Sequence, residues 1–186
     1  MRLLTLFPVL FALGAVADLL YVDFPHLLIP INKTSPNTVY GTVKTGEVSN
    51  NVWTEVSFDV RNDIPGVKIC RINFHINTNP SKNAPRSLSG VAPYEFVIYR
   101  TTSNMDQTKD SWNHSPMITN YLAAVKLTQD GAVELTDGWF QCPLGDVAQF
   151  VLTPVTDTRA FKYTWFELDY PEEQGGPHGI TLEMHS

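Results

Sequence analysis

Basic residues are scarce in this sequence. Thirteen Lys and Arg stand against 19 Asp and Glu, a net charge of −6, and no long run gathers charges of one sign. Nucleic acids and anionic membrane surfaces are held by clustered Lys and Arg, so both are poor partners for this chain. Long apolar runs are also missing after Val16, and a helical membrane span takes about 20 apolar residues. The C-terminal Thr181-Leu182-Glu183-Met184-His185-Ser186 lacks the hydrophobic tail of a lipid-anchor signal. Ser87-Leu88-Ser89-Gly90 lacks the glycine pattern of a nucleophile elbow, and there is no glycine-rich phosphate loop. His26, His75, His114, His178 and His185 are scattered. Glu183 and His185 share a strand face, yet no third ligand is indicated beside them. No catalytic residue, metal site or cofactor is expected.

What is present starts at the N-terminus. Met1-Arg2 precedes a nearly unbroken apolar run to Val16, and Ala15-Val16-Ala17 stands just before Asp18. Pro8 and Gly14 interrupt the run. This pattern predicts a secretory leader over residues 1–17, leaving 18–186 as one extracellular domain of 12 basic and 19 acidic residues. The only cysteines are Cys70 and Cys142. In an oxidising compartment they read as a disulfide, the alternative being two buried free thiols. Asn32-Lys33-Thr34 and Asn113-His114-Ser115 are glycosylation sequons. Pro116 after the second favours Asn32, and Asn79-Pro80-Ser81 is blocked by its proline.

The dominant hydrophobic period is two. Val52, Thr54, Val56, Phe58 and Val60 alternate with Trp53, Glu55, Ser57 and Asp59; Cys70, Ile72, Phe74 and Ile76 alternate with Arg71, Asn73, His75 and Asn77. Further strands are predicted over 26–31, 38–44, 94–101, 121–128, 147–153, 162–170 and 178–184. Turn clusters such as Thr136-Asp137-Gly138 separate them, and no helical stripe appears. About nine short strands predict an all-β, two-sheet antiparallel β-sandwich, with a β-barrel as the alternative. Residues 77–91 and 103–116 read as surface loops. Cys142, beside Trp139 and Phe140, should pack on the apolar face of the Cys70 strand.

The most suggestive surface lies over 162–170, where Tyr163, Trp165, Glu167 and Asp169 share a face and Phe166 and Leu168 take the other. Rings beside carboxylates can stack on sugars and bond their hydroxyls. The plainer reading puts Tyr163 and Trp165 in the core with the carboxylates merely solvated. Trp53, with Glu55 and Asp59, forms a weaker group of the same kind. Glu167 and Asp169 have the residue types of a glycosidase acid and base pair, but such pairs flank a substrate from opposite walls of a cleft, which neighbours on one strand do poorly.

Phe24-Pro25-His26-Leu27-Leu28-Ile29-Pro30-Ile31, followed by Ser35-Pro36-Asn37-Thr38-Val39-Tyr40-Gly41-Thr42, resembles the C-terminal domain of fungal ubiquitin-three-binding, or But-two, proteins. Ser57-Phe58-Asp59-Val60, Gly66-Val67-Lys68-Ile69-Cys70, Phe140-Gln141-Cys142-Pro143-Leu144-Gly145 and Gly176-Pro177-His178-Gly179-Ile180 extend the resemblance along the chain. It implies a fungal source and a compact β-rich domain, and it brings no catalytic residues. The family name points to an intracellular partner of ubiquitin-like activation, which a leader and a disulfide oppose; secreted members are implied to be wall-associated or host-facing. The expectation is a secreted, non-enzymatic protein that binds a cell-wall glycan or a host protein, in the manner of an effector or elicitor. An extracellular polysaccharide hydrolase and a purely structural wall component are the rivals.

Overall fold

The computed structural model describes residues 17–102 and 104–186, so the expected leader lies outside the described residues except for Ala17. The strands are β1 Leu19–Asp23, β2 Leu27–Asn32, β3 Thr45–Ser49, β4 Val52–Asp59, β5 Ile69–His75, β6 Arg86–Gly90, β7 Tyr94–Thr101, β8 Ile118–Leu127, β9 Val133–Asp137, β10 Trp139–Gln141, β11 Val147–Pro154, β12 Phe161–Phe166 and β13 Gly179–His185. Single 3-10 turns sit at Trp112–His114 and Glu172–Gln174. All strand pairs are antiparallel. They form a six-stranded sheet, β2-β4-β11-β7-β8-β9, a four-stranded sheet, β1-β13-β5-β10, and a three-stranded sheet, β3-β12-β6. The sheets do not close into a barrel.

The expected two layers are thus a six-stranded sheet facing two smaller ones. The smaller sheets are linked by the lone bridge between Leu168 and His178. Alternation of apolar residues builds each inner face. On β5, Cys70, Ile72 and Phe74 are buried while Arg71, Asn73 and His75 are half-buried. On the six-stranded sheet Val56, Phe58, Phe96, Ile98, Phe150 and Leu152 join the same core. The Phe74 ring meets Phe96 at 5.2 Å, and Phe140 meets Phe150 at 5.5 Å, closing the gap between the layers.

Of the two readings of the face carrying Tyr163 and Trp165, the plainer one holds for the rings, which lie in the core, and the binding surface expected of them is corrected. Both side chains have no exposed surface, and their rings stack at 5.8 Å against the edge of Phe74. The alternation over 162–166 was read correctly, but β12 is the central strand of its sheet and the larger rings turn inward. Gly46, opposite Trp165 on β3, makes room for this: a Cβ there would lie 2.1 Å from the indole. Glu167 follows the rings inward, accepting hydrogen bonds from Trp165 Nε1 at 2.6 Å and from the Ile180 amide at 3.0 Å. Gly179, at φ 120°, is held to glycine because a Cβ would lie 2.1 Å from Glu167 Oε2. Asp169 is exposed.

The strand expected over 38–44 does not form: Gly41 takes φ 69°, the Val43 amide makes a single backbone bond to the Leu28 carbonyl at 2.9 Å, and ladder pairing starts instead at β3. The stretch 77–91 is a loop only to Pro85, after which β6 adds an edge to the three-stranded sheet. The turn at Asp137 and Gly138, both at positive φ, joins β9 to β10 and passes the chain between layers. Beyond it Phe140 pairs opposite Cys70, as expected for the cysteine segment, and Cys70 and Cys142 form the disulfide across a Cα separation of 5.0 Å.

Closing a loop of 72 residues, this bond stabilises the fold by about 4 kcal/mol in the chain-entropy model. Paired Cys70→Ser and Cys142→Ser replacement should therefore lower the urea midpoint in chemical unfolding. Burial raises the Glu167 carboxyl to about 7 from 4.5. A group raised on folding favours the fold fully below its unfolded value and loses that contribution as pH rises through the folded one. Melting temperature should accordingly decline between pH 5 and 8, and Glu167→Gln, which keeps both accepted bonds, should flatten that part of the profile.

Candidate functional site

Strand β4 is buried on both faces, which alternation alone does not provide. Its inner side chains enter the core; its outer ones, Glu55 at 1% exposure and Ser57 at 0%, are also shielded, as are Ile29 and Ile31 on β2 and Val151 on β11. The cover consists of two irregular segments, 33–44 and 104–117. Residues 104–117 are fixed to the sheet by the Met105 amide, which donates to Gln149 Oε1 at 3.1 Å, and Gln149 Nε2 donates in turn to Ser57 Oγ at 3.0 Å. The Trp112 ring lies 4.6 Å from that of Trp53. The segments hold each other through the Asn113 amide, donating to the Pro36 carbonyl at 3.0 Å, and Asn113 Nδ2, donating to Asn37 Oδ1 at 2.8 Å.

Segment 104–114 is also tied internally. Asp106 Oδ1 accepts from the Thr108 amide and hydroxyl at 2.9 and 2.6 Å, an Asx turn, and Lys109 Nζ reaches Asp106 Oδ2 at 2.6 Å. These donors hold the Asp106 carboxyl well below the usual carboxylate range. The Asp106 amide donates to Asp110 Oδ2 at 2.7 Å. Between the two segments opens a pocket of about 580 Å³ lined by Asn37, Val39, Asn104, Asp106, Lys109 and His114, with Asp110 and Ser111 at its base. Its rim offers two side-chain amides, an ammonium group, an imidazole and an ionised carboxylate, a mixture of donors and acceptors over one apolar contact.

Beneath Asp110, itself 3% exposed, lies Glu55. Burial and the neighbouring Asp110 push Glu55 up to about 9, and burial raises Asp110 as well. Glu55 Oε2 is buried without a hydrogen-bond partner, and burial beside a second shielded carboxyl favours the protonated form of Glu55. Ser111 Oγ lies 3.2 Å from His114 Nδ1. That juxtaposition has the residue types of nucleophilic catalysis, but Ser111 is 1% exposed and no carboxylate orients the imidazole among the described residues.

Of the residues singled out by sequence, Trp53 is half-buried beneath Trp112, Glu55 lies under the base of the pocket, His114 lines it and Asn113 bonds Asn37 at its edge. Tyr163, Trp165 and Glu167 belong to the opposite layer, and Asp169 opens onto a separate hollow with Tyr21, Phe24 and His75. Glu167 is enclosed while Asp169 faces solvent, so the two do not flank a common cleft. Glu183 accepts from Asn73 Nδ2 at 2.6 Å and contacts His185 Nε2 at 3.3 Å, and no three His, Cys, Asp or Glu gather as a metal site among the described residues. Both sequon asparagines border the covering segments: Asn32 Nδ2 points at Tyr40 Oη, 3.4 Å away, and Asn113 bonds Asn37. Asn37, Asp106, Lys109 and Asp110 were not anticipated. The available signal was the Asp-x-Thr of an Asx turn together with Glu55 on a strand otherwise built for burial.

Among the described residues no helix is long and apolar enough to cross a membrane. No curated protein matches the chain. The family model described as Ubiquitin 3 binding protein But2 C-terminal domain matches residues 23–169, a span that holds β2 to β12, the disulfide and both covering segments. The chain therefore belongs to the family of the Ubiquitin 3 binding protein But2 C-terminal domain.

Proposed function

We propose that this chain is the non-catalytic binding domain of a secreted protein, and that it takes a hydroxyl-rich ligand of the glycan class, at a fungal wall or host surface, in the pocket between segments 33–44 and 104–114. The observation that carries the reading is the rim of that pocket. Asn37 and Asp106 are held in place by hydrogen bonds within the covering segments before any ligand arrives, so little ordering is left to oppose binding. Mixed amide, imidazole, ammonium and carboxylate groups match the alternating donors and acceptors of a sugar better than they match a single charge. Secretion is supported by the N-terminal run with its Ala15-Val16-Ala17 site, and by a disulfide that a reducing compartment would not maintain.

The family description supplies a second reading, binding of a ubiquitin-like protein. A partner of that kind is met in a reducing compartment, and the Cys70–Cys142 bond is the observation against this reading.

The oxidised protein titrated with a panel of chitin, β-glucan and mannan oligosaccharides should show saturable binding in calorimetry. Asn37→Ala with Lys109→Ala should weaken it at least tenfold. Trp165→Ala should lower the melting temperature sharply, through the cavity left among Phe74, Tyr163 and Gly46, while the folded fraction binds as before. Absence of saturable binding across the panel, or binding indifferent to the pocket substitutions, would overturn the glycan assignment; capture of a ubiquitin-like protein by the same oxidised chain would favour the second reading.

A further inference from the structure

The contact between Glu55 and Asp110 is the least accommodating feature of the outer face. Glu55 stands on β4 between Ile29 of β2 and Val151 of β11, all three with 2% exposure or less. The polar groups on the same strands, Ser57 and Gln149, are bonded to each other and carry no charge. From the covering segment the charged and titratable neighbours are Asp106, Lys109, Asp110 and His114. Lys109 is committed to Asp106 at 2.6 Å, and His114 Nδ1 faces Ser111. Of the cations of segment 33–44, Lys33 lies over Trp112 and 3.7 Å from Asp157, and Lys44 stands where its carbonyl accepts from the Glu167 amide of the opposite layer. Among the described residues no cation makes a salt bridge to either carboxyl, so the pair is held by a proton or it is two like charges in an apolar setting.

We propose that the Glu55–Asp110 contact is a proton-dependent latch: with one proton shared, segment 104–114 lies closed on the six-stranded sheet, and loss of that proton releases it. Release uncovers Trp53, whose ring packs against Trp112, and it dismantles the pocket, because Asn104, Asp106, Lys109 and His114 all leave with the segment. The consequence for a ligand rests on the binding function proposed above; the latch itself does not.

The sign follows from the proton count. The closed state holds one proton more than the open state wherever pH exceeds the free carboxyl value of 4.5 and lies below about 9, where Glu55 gives it up. Within that window each pH unit reduces the ratio of closed to open by about tenfold. The latch is therefore tightest in acid and opens towards alkali.

Hydrogen exchange on the full oxidised chain between pH 5 and 9.5 tests this. After correction for intrinsic exchange rates, the amides of Met105, Asp106, Asp110 and Asn113 should lose protection by tenfold or more across the range, while those of Phe150, Val151 and Leu152 on β11 hold theirs. Glu55→Gln, whose amide donates to Asp110 without titrating, should keep the segment protected throughout; Asp110→Asn provides the same test should the first variant fold poorly. Protection that does not change with pH, or that falls equally in wild type and both variants, would overturn the latch. In parallel titrations, glycan affinity should fall with rising pH in the wild type and persist in Glu55→Gln. If no glycan binds at any pH while the exchange pattern appears as described, the latch stands and the binding assignment falls.

Discussion

Phe74 presents its ring to Phe96 and Trp165, each at 5.2 Å, and to Tyr163 at 5.9 Å. Those partners belong to the six-stranded and three-stranded sheets, while Phe74 itself sits on the four-stranded one, so a single side chain touches all three. Edge-to-face contacts at these separations add to the burial of the rings themselves. The position also accounts for the split in the smaller layer. With Trp165 and Tyr163 packed against Phe74, the chain leaves β12 at Phe166 and turns Glu167 under the start of β13, where only Gly179 leaves room for its carboxyl. Regular pairing between β12 and β13 is reduced to the bridge at Leu168 and His178.

The second constraint lies on the far side of the six-stranded sheet. Ile29, Ile31 and Val151 face away from the core, and a bare sheet face carrying them would be an exposed apolar patch. The chain covers it with polar irregular segments rather than with another sheet, so their backbone groups have to be satisfied locally or by side chains below. The Asx turn at Asp106, the Gln149 relay to Ser57 and the Asn113 bridge to Asn37 do this. Asp110 reaches down for the same purpose, capping the Asp106 amide, and meets Glu55. The acidic pair is thus a by-product of covering an apolar face with a loop, and it brings proton dependence to a surface that otherwise needs none.

Much of this fold is legible in the amino-acid sequence, and the failures have physical causes. Alternation located β4, β5, β7 and β11 to within a residue or two, because each is long and central. β1, β3, β6, β9 and β10 are short, and all five lie at sheet edges, where fewer side chains are obliged to be apolar, so their period is faint. Over β12 the parity was plain but the direction was not: Tyr163 and Trp165 alternate with Thr164 and Phe166, and aromatic residues on both faces leave periodicity no means of saying which points inward. The pairing of Cys142 with the Cys70 strand was legible because its neighbours Trp139 and Phe140 already looked like a strand. Glu55 and Asp110 were not, since nothing local in a polar stretch tells whether it floats free or folds back onto a sheet.

The buried acids of the two layers act in the same direction. Glu55 is raised to about 9 beneath the outer cover and Glu167 to about 7 within the aromatic core, each because burial disfavours its charge. Folding therefore takes up protons at both places, and both contributions are largest in acid. The net charge adds to this, since protonating exposed carboxylates relieves the self-repulsion of a chain carrying an excess of acidic residues. Ion pairs such as Asp106 with Lys109 and Asp63 with Arg61 oppose the trend, but they are exposed and individually weak. The balance favours stability in acid, and with the latch proposed above segment 104–114 is where the fold loosens first as the medium turns alkaline, since among the described residues it is there that a second shielded carboxyl, Asp110, raises a buried one.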